Sequence, residues 1–318
     1  MNIWKLRLTI LGTLTAIIGL STLVLAVILN AIGAYSLTTL IPIVLIFNVL
    51  QWLMAPHMID AFYRVHKASE SELPSIHKVV NELSQKCGIS KPTLMIADMP
   101  IANAFAYGSP LTGNKIAVTT GLLKTLNTDE VEAVVGHEFG HIKHRDVQAM
   151  MFISVLPSIF YYLAYSSMFA GRTNNKEKGS DLAIIGTLSM FAYFALTLLS
   201  LYFSRLREYY ADQFSVANVE NGSTKLSEAL AGIVHSTNRT SRVMKVQAFG
   251  QFKALFISDP IRAESGDATM NQMGYSTSNK QLVDELLAKG VTPVDSLLEV
   301  FSTHPNIVKR LRALQNKQ

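Results

Sequence analysis

The chain has 318 residues, 49% hydrophobic and only 16% charged, with a formal charge of +5 and a mean hydropathy of +0.26. Asp, Glu, Lys and Arg are missing altogether from residues 8–59, 147–171 and 182–204, and the remainder has an ordinary soluble composition. This pattern excludes a purely soluble globule and a disordered chain, and the lone Cys87 excludes an intrachain disulfide and a cysteine-based zinc cluster.

In chain order, the first charge-free window fits two spanning helices, residues 6–29 and 37–54, separated by a polar break at 30–36. The second span follows so closely that the first is expected to stay as an anchor and not to be removed as a signal peptide. Residues 73–87 then read as an amphipathic helix with Pro74 in its first turn, Ile76, Val79, Val80 and Leu83 on one face, and Gly88 as its stop. Three extended runs follow, at 93–97, 103–107 and 115–120, punctuated by Gly108, Pro110, Gly113 and Asn114; a small antiparallel sheet is expected. Asn127 or Thr128 caps the next helix, whose apolar face is Val131, Val134, Val135 and Phe139. Residues 147–170 and 182–203 each fit one further span, and 208–219 continue the last as a helix. Within the poorly patterned segment 236–295, residues 236–242 and 262–280 read as loop around an apolar Ala254-Leu-Phe-Ile257. A final helix is expected over 305–314, with Pro305 at its first position.

Four spans put the N-terminus, residues 60–146 and residues 205–318 on one side of the membrane. That side carries the flanking cations Lys5, Arg7, Arg64, Lys67, Lys143, Arg145, Arg205 and Arg207, against Arg172, Lys176 and Lys178 on the other. The positive-inside rule makes the richer side cytoplasmic. The basic excess matches anionic headgroups; no basic-aromatic pattern favours nucleic acid.

The chemistry centres on His137-Glu138-Phe139-Gly140-His141. On a helix, residues four apart share a face one turn apart, so both imidazoles reach one point. Two neutral imidazoles suit zinc, and Glu138 can reach a water on an open coordination position. For this composition chance predicts roughly 0.01 such motifs. Gly140, a weak helix former, suggests close approach of substrate or of another helix. A catalytic zinc takes a third protein ligand. His144 and Asp146 are close in sequence, but topology favours Glu208: the chain enters the membrane after the motif and returns just before Arg207-Glu-Tyr-Tyr-Ala-Asp212. Asp212, one turn on, can then accept a hydrogen bond from a ligand imidazole.

The succession of HEFGH, a two-span hairpin and Ser204-Arg-Leu-Arg-Glu-Tyr-Tyr-Ala-Asp212 resembles the HtpX family of membrane zinc metalloproteases, gluzincins related to the CAAX prenyl endopeptidases. The resemblance covers nearly the whole chain apart from 236–295. It implies one zinc per chain held by His137, His141 and Glu208, with Glu138 as catalytic carboxylate and Asp212 orienting a ligand. It also implies support from Asp146, a late His304 near the reacting carbonyl with Arg310 beside it, and substrate binding along Asn103, Ala104, Phe105 and Ala106 as an edge strand. Asn306 stands where the family has a second proline.

The expected fold is mainly α, with four transmembrane helices and a cytoplasmic zincin-like metalloprotease domain holding a small antiparallel β-sheet. Its expected division is a membrane hairpin at 1–59, a cytoplasmic part with sheet and zinc helix at 60–146, a second membrane hairpin at 147–204, and a cytoplasmic helical part at 205–318. The expected activity is hydrolysis of peptide bonds at the cytoplasmic surface of a prokaryotic cell membrane. By resemblance, the substrates are misfolded membrane proteins under quality control. The competing expectations are a CAAX-type prenyl-protein endopeptidase and a non-enzymatic scaffold with a closed structural metal site.

Overall fold

The structure, a computed structural model, describes residues 37–170, 176–243 and 279–316. The expected span at 6–29, the apolar stretch at 254–257 and the expected loop over 262–278 lie outside the described residues, while residues 279 and 280, read as the end of that loop, begin a helix. The described chain is mainly helical and divides into two compact units. One holds its residues up to Trp52 together with Gln148–Tyr202; the other holds Leu53–Val147 together with the residues from Phe203 onward.

In the first unit, helix α1 (Leu37–Phe62) begins and α5 (Asp146–Ala170) and α6 (Lys176–Asn218) have their apolar stretches. Among the described residues one stretch, Ala183–Asn218, is long and apolar enough to cross a membrane, with a mean hydropathy of 1.9 in its most apolar window. α6 runs without a break from its apolar residues at 183–203 into the polar segment carrying Glu208 and Asp212.

The second unit is built on a four-stranded sheet of β1 (Val65–Lys67), β2 (Thr93–Ala97), β3 (Ala104–Ser109) and β4 (Gly113–Thr119), in the order β1-β2-β4-β3. The sheet is mixed, not purely antiparallel as expected. β3 and β4 do form an antiparallel hairpin, but β4 docks on β2 in parallel, with Leu94 opposite Ile116 and Ile96 opposite Val118. The reason is one of direction: β3 reverses the chain after β2 and β4 reverses it again, so β4 must run parallel to β2 when it takes the place beside it. β3 is left at the sheet edge.

Around the sheet stand α2 (Pro74–Cys87), α3 (Thr120–Thr125), α4 (Thr128–Lys143), α7 (Gly222–Val243), α8 (Asn279–Lys289), α9 (Pro293–Glu299) and α10 (Ile307–Gln315). α2 ends as anticipated at Gly88, whose φ of 62° is the left-handed cap that glycine adopts without strain. Val131, Val134, Val135 and Phe139 of α4 are all buried, in one core with Val80, Leu83, Leu94, Ile116, Leu226, Leu230, Ile233, Leu282, Leu286 and Leu311.

Two expectations need correction. Residues 236–242 are the last turns of α7, not loop: its earlier turns are fixed by the buried Leu226, Leu230 and Ile233, and extending an existing helix costs far less than starting one. The final helix starts at Ile307, with Asn306 and not Pro305 at its start; the Asn306 side chain accepts the Val308 N–H at 2.9 Å.

Candidate active site

Helix α4 begins with a reciprocal cap. Asn127 accepts the Glu130 N–H at 3.0 Å and Glu130 accepts the Asn127 N–H at 2.9 Å, while Asn279 Nδ2 binds the other Glu130 oxygen at 2.6 Å. Three turns on stand His137, Glu138 and His141. The intervening glycines let α6 lie directly against this helix. A Cβ on Gly140 would stand 2.8 Å from Ala211 Cα, and one on Gly136 3.1 Å from Ser215 Oγ and 2.7 Å from Cγ2 of Val219, just past the end of α6. Ser215 of α6 adds a hydrogen bond to the Ala133 carbonyl at 2.7 Å. Close packing at these small residues is what brings Glu208 and Asp212 opposite the two imidazoles.

The rings of His137 and His141 lie 4.8 Å apart between centroids, at 88° to each other. His137 Nδ1 is 2.9 Å from Asp212 Oδ1, and His141 Nδ1 is 2.6 Å from Asp146 Oδ2. Carboxylates on the Nδ1 side leave Nε2 as the free nitrogen of each ring. Glu208 reaches both Nε2 atoms, with Oε2 3.5 Å from His137 and Oε1 3.5 Å from His141. Burial alone would lower the His137 pKa, but the Asp212 and Glu208 carboxylates outweigh it and push it up to about 9 in the metal-free chain.

A third element closes the site. Arg310 of α10, 1% exposed, clasps Asp212 through Nε at 2.9 Å and Nη2 at 2.6 Å, and its Nη1 lies 3.2 Å from Glu208 Oε2. Burial works against its charge, yet the Asp212 and Glu208 carboxylates hold it still more firmly protonated than a free arginine. His304 is buried beside it, Nδ1 3.4 Å from Glu208 Oε2, with its main-chain N–H donating to Ser302 Oγ at 3.3 Å.

On the opposite side runs β3. Its register pairs Phe105 with Ala117 and Tyr107 with Lys115, and the Ala106 N–H turns away from β4 to donate to Glu138 Oε2 at 2.7 Å. By strand alternation Ala104 turns its amide the same way. The side chains are not free surface: Ala104 is buried in the main core, Phe105 packs in a second core with Tyr63 and Tyr107, and the Asn103 main chain is bonded to Thr119. The sequence-level alternatives for a third ligand stand elsewhere. His144 caps the end of α4 with its ring against Tyr210 and Phe214, and Asp146 is occupied by His141 Nδ1.

These residues fit a divalent metal ion. Tetrahedral ligands about 2.0–2.2 Å from an ion stand roughly 3.4 Å from one another, close to the 3.5 Å between each Glu208 oxygen and its facing Nε2. His137 Nε2 is buried and makes no hydrogen bond, as a donor atom awaiting an ion should, while Glu208 Oε2 is balanced by the Arg310 guanidinium at 3.2 Å. The Glu138 carboxylate is near as well, its ligand atom and those of the two imidazoles all lying within 4.8 Å of one another, but Oε2 is engaged by the Ala106 amide.

Residues 70–318, most of the chain and all of the site, match the family described as Peptidase family M48. The chain belongs to peptidase family M48. It is a metalloprotease with close sequence relatives among proteins named for HtpX. A "Protease HtpX homolog" of Thermoplasma acidophilum is 37% identical over 89% of this chain and 87% of its own length. A "Protease HtpX homolog 2" of Saccharolobus solfataricus is 35% identical over 98% of this chain and 96% of its own. Among solved structures, Ste24p of S. mikatae shares the fold, with a TM-score of 0.56 at 18% identity over 98% of this chain; the match spans 66% of that longer chain.

Several further residues of this M48 peptidase shape the site. Arg205 Nη1 donates to the carbonyls of Val300 and Ser302, at 3.0 and 2.8 Å, and so ties the loop that carries His304 to α6. Arg207 Nη1 donates to the Asp146 carbonyl at 3.3 Å. Glu299 accepts the Asn306 N–H at 3.0 Å and pairs with Lys309. In the sequence Arg205 and Arg207 stand as cations flanking a span and within the stretch 204–212, but nothing local assigns them these carbonyl partners.

Proposed function

We propose that this M48 peptidase is a membrane-integrated zinc endopeptidase with one ion per chain, which cleaves polypeptides at the cytoplasmic membrane surface in the quality control of misfolded membrane proteins. The supporting observation is the shared grip of Glu208 on both Nε2 atoms at 3.5 Å, with each Nδ1 held by its own carboxylate. Three protein ligands leave the open position of a catalytic zinc, where a structural site is closed by four. The charge-free windows at 8–59, 147–171 and 182–204 and the excess of cations around 60–146 and 205–318 support the membrane location and the cytoplasmic orientation.

His137, His141 and Glu208 are the residues that would hold the ion. When bound, zinc supplies Lewis acidity, making water acidic near neutral pH and drawing electrons from the scissile carbonyl. Glu138 takes the proton of the attacking water and passes it to the leaving amine. Asp212 and Asp146 fix the two imidazoles, and Arg310 fixes Asp212. His304 donates to the developing oxyanion. An extended substrate lies along β3, where the outward amide of Ala104 binds its backbone without reading its sequence, while the Ala106 amide holds Glu138.

The test is zinc-restored proteolysis in lipid or detergent by wild type beside Glu138→Gln. The variant should hold stoichiometric zinc and leave an unfolded membrane substrate intact. Full turnover by Glu138→Gln, or wild-type cleavage that survives complete metal removal, would overturn the mechanism.

A further inference from the structure

The β3–β4 hairpin lies along the end of α1, and three contacts set its level. Two rungs below its last pair, Tyr107 Oη donates to Asp60 Oδ1 at 2.5 Å and Lys115 Nζ to Asp60 Oδ2 at 2.6 Å. Toward its tip, Ser109 Oγ donates to the Leu53 carbonyl at 3.5 Å. Leu53 lies seven residues before Asp60, so the hairpin climbs the helix by about 10 Å. Asp60 is also the first charged residue after the run that begins at Leu8, so the climb goes from the charged end of α1 into its charge-free part.

The helix surface at that level is apolar and uncovered. Leu50, Met54 and Met58, at successive four-residue steps, are 54%, 52% and 49% exposed. Such a stripe is ordinary against lipid and costly against water. The hairpin tip has the same character. Leu111, two residues beyond Ser109, is 71% exposed. No charged residue occurs between Asp98 and Lys115, and Lys115 is drawn back onto Asp60. A lone exposed leucine carries little meaning; this one crowns a charge-free turn tied beside bare helix surface.

The tip is also preformed. Thr112 N–H donates to the Ser109 carbonyl at 3.2 Å and Ser109 N–H to Thr112 Oγ1 at 3.1 Å. At the neck, Gly108 has a φ of 156° and a Cβ there would meet the Gly113 carbonyl oxygen at 2.3 Å, so the two strands approach as only glycine allows.

We propose that this turn, residues 109–113, is a bilayer anchor whose Leu111 side chain enters the acyl boundary beside α1. The proposal rests on the reading of α1 as a spanning helix. Its partner is the apolar edge of the membrane and not a lipid headgroup, because the turn carries no cation. The anchor sets the height of the substrate strand: Ala106, which faces Glu138, is five residues along the hairpin from Leu111, about 17 Å when extended. A polypeptide leaving the bilayer beside the hairpin therefore meets the outward edge of β3 at once.

The test uses nitroxide probes on cysteines at positions 111 and 46, each in a Cys87→Ser background, with the protein in phosphatidylcholine–phosphatidylglycerol nanodiscs. Ile46 is 58% exposed on the apolar part of α1 and reports on the spanning helix alone. Both probes should collide more with oxygen than with a water-soluble nickel chelate. Lipid contact at 46 with water contact at 111 would overturn the anchor and leave the membrane reading standing; water contact at 46 would overturn both. As a functional arm, Leu111→Asp should lower kcat/KM roughly tenfold on a substrate embedded in the bilayer and leave a soluble peptide unaffected. No loss on the embedded substrate, or an equal loss on both, would overturn the proposal.

Discussion

Arg310 clasps Asp212 with two nitrogens, at 2.9 and 2.6 Å, and Asp212 in turn faces His137 Nδ1 at 2.9 Å. The orientation of a candidate metal ligand near the middle of α4 thus depends on a guanidinium close to the end of the chain. All three groups are buried, so the clasp works without screening by water.

Arg310→Lys keeps the charge but cannot reproduce the two-pronged grip. Zinc affinity, measured by competition with a chromophoric chelator, should fall by about 10- to 100-fold. Arg310→Met, which strands the Asp212 carboxylate in the interior, should destabilise the protein by about 3–5 kcal/mol in denaturant unfolding. Unchanged zinc affinity in the lysine variant would disprove the role of the clasp.

Gly140→Ala gives the opposite result to the one helix propensity predicts. In an open helix the change gains about 1 kcal/mol. Here the new Cβ meets the backbone of α6 at Ala211, which cannot step aside cheaply. A loss of about 1–3 kcal/mol is expected from overpacking, together with weaker metal binding as Glu208 is pushed back from the imidazoles. Thermal melting and metal titration of the one variant read both effects; stabilisation would show that the helices are not in close contact.

Ala104→Pro removes an amide that points away from β4, so the hairpin ladder should survive, as proline is accepted at sheet edges. Peptide KM should rise several-fold while zinc content stays at one per chain. Phe105→Pro, on the ladder side and in the core, should instead unfold the hairpin. Equal activity of Ala104→Pro and wild type would show that substrate does not pair along this edge.

Asn306→Ala removes the side-chain cap of α10 and should cost about 1 kcal/mol. Because Arg310 sits on this helix, the variant should also bind zinc more weakly than its stability loss alone explains. A stability loss without any change in zinc affinity would separate the cap from the site.

The elements legible in the sequence were those whose signals are local. The cap at Asn127, the stop at Gly88 and the valine stripe on α4 each act within a few residues, and the structure places each where it was read. The pairing of β4 with β2 was not legible, because it depends on which side of an existing strand a hairpin docks. α9 escaped notice although Thr292-Pro293-Val294-Asp295 carries a reciprocal cap like that at Asn127, with proline at its first turn. In the site, the closeness of Glu208 to the imidazoles followed from the topology of the apolar helices. The engagement of Glu138 by the Ala106 amide did not, since nothing local links residues 32 apart in the chain.

The two carboxylates behind the imidazoles have one more property in common. Asp146 is the first residue of α5, and Asp212 lies near the far end of the unbroken α6. Each is therefore held by helix backbone and not by a loop, so the two imidazoles are steadied from behind by main chain that has little freedom of its own.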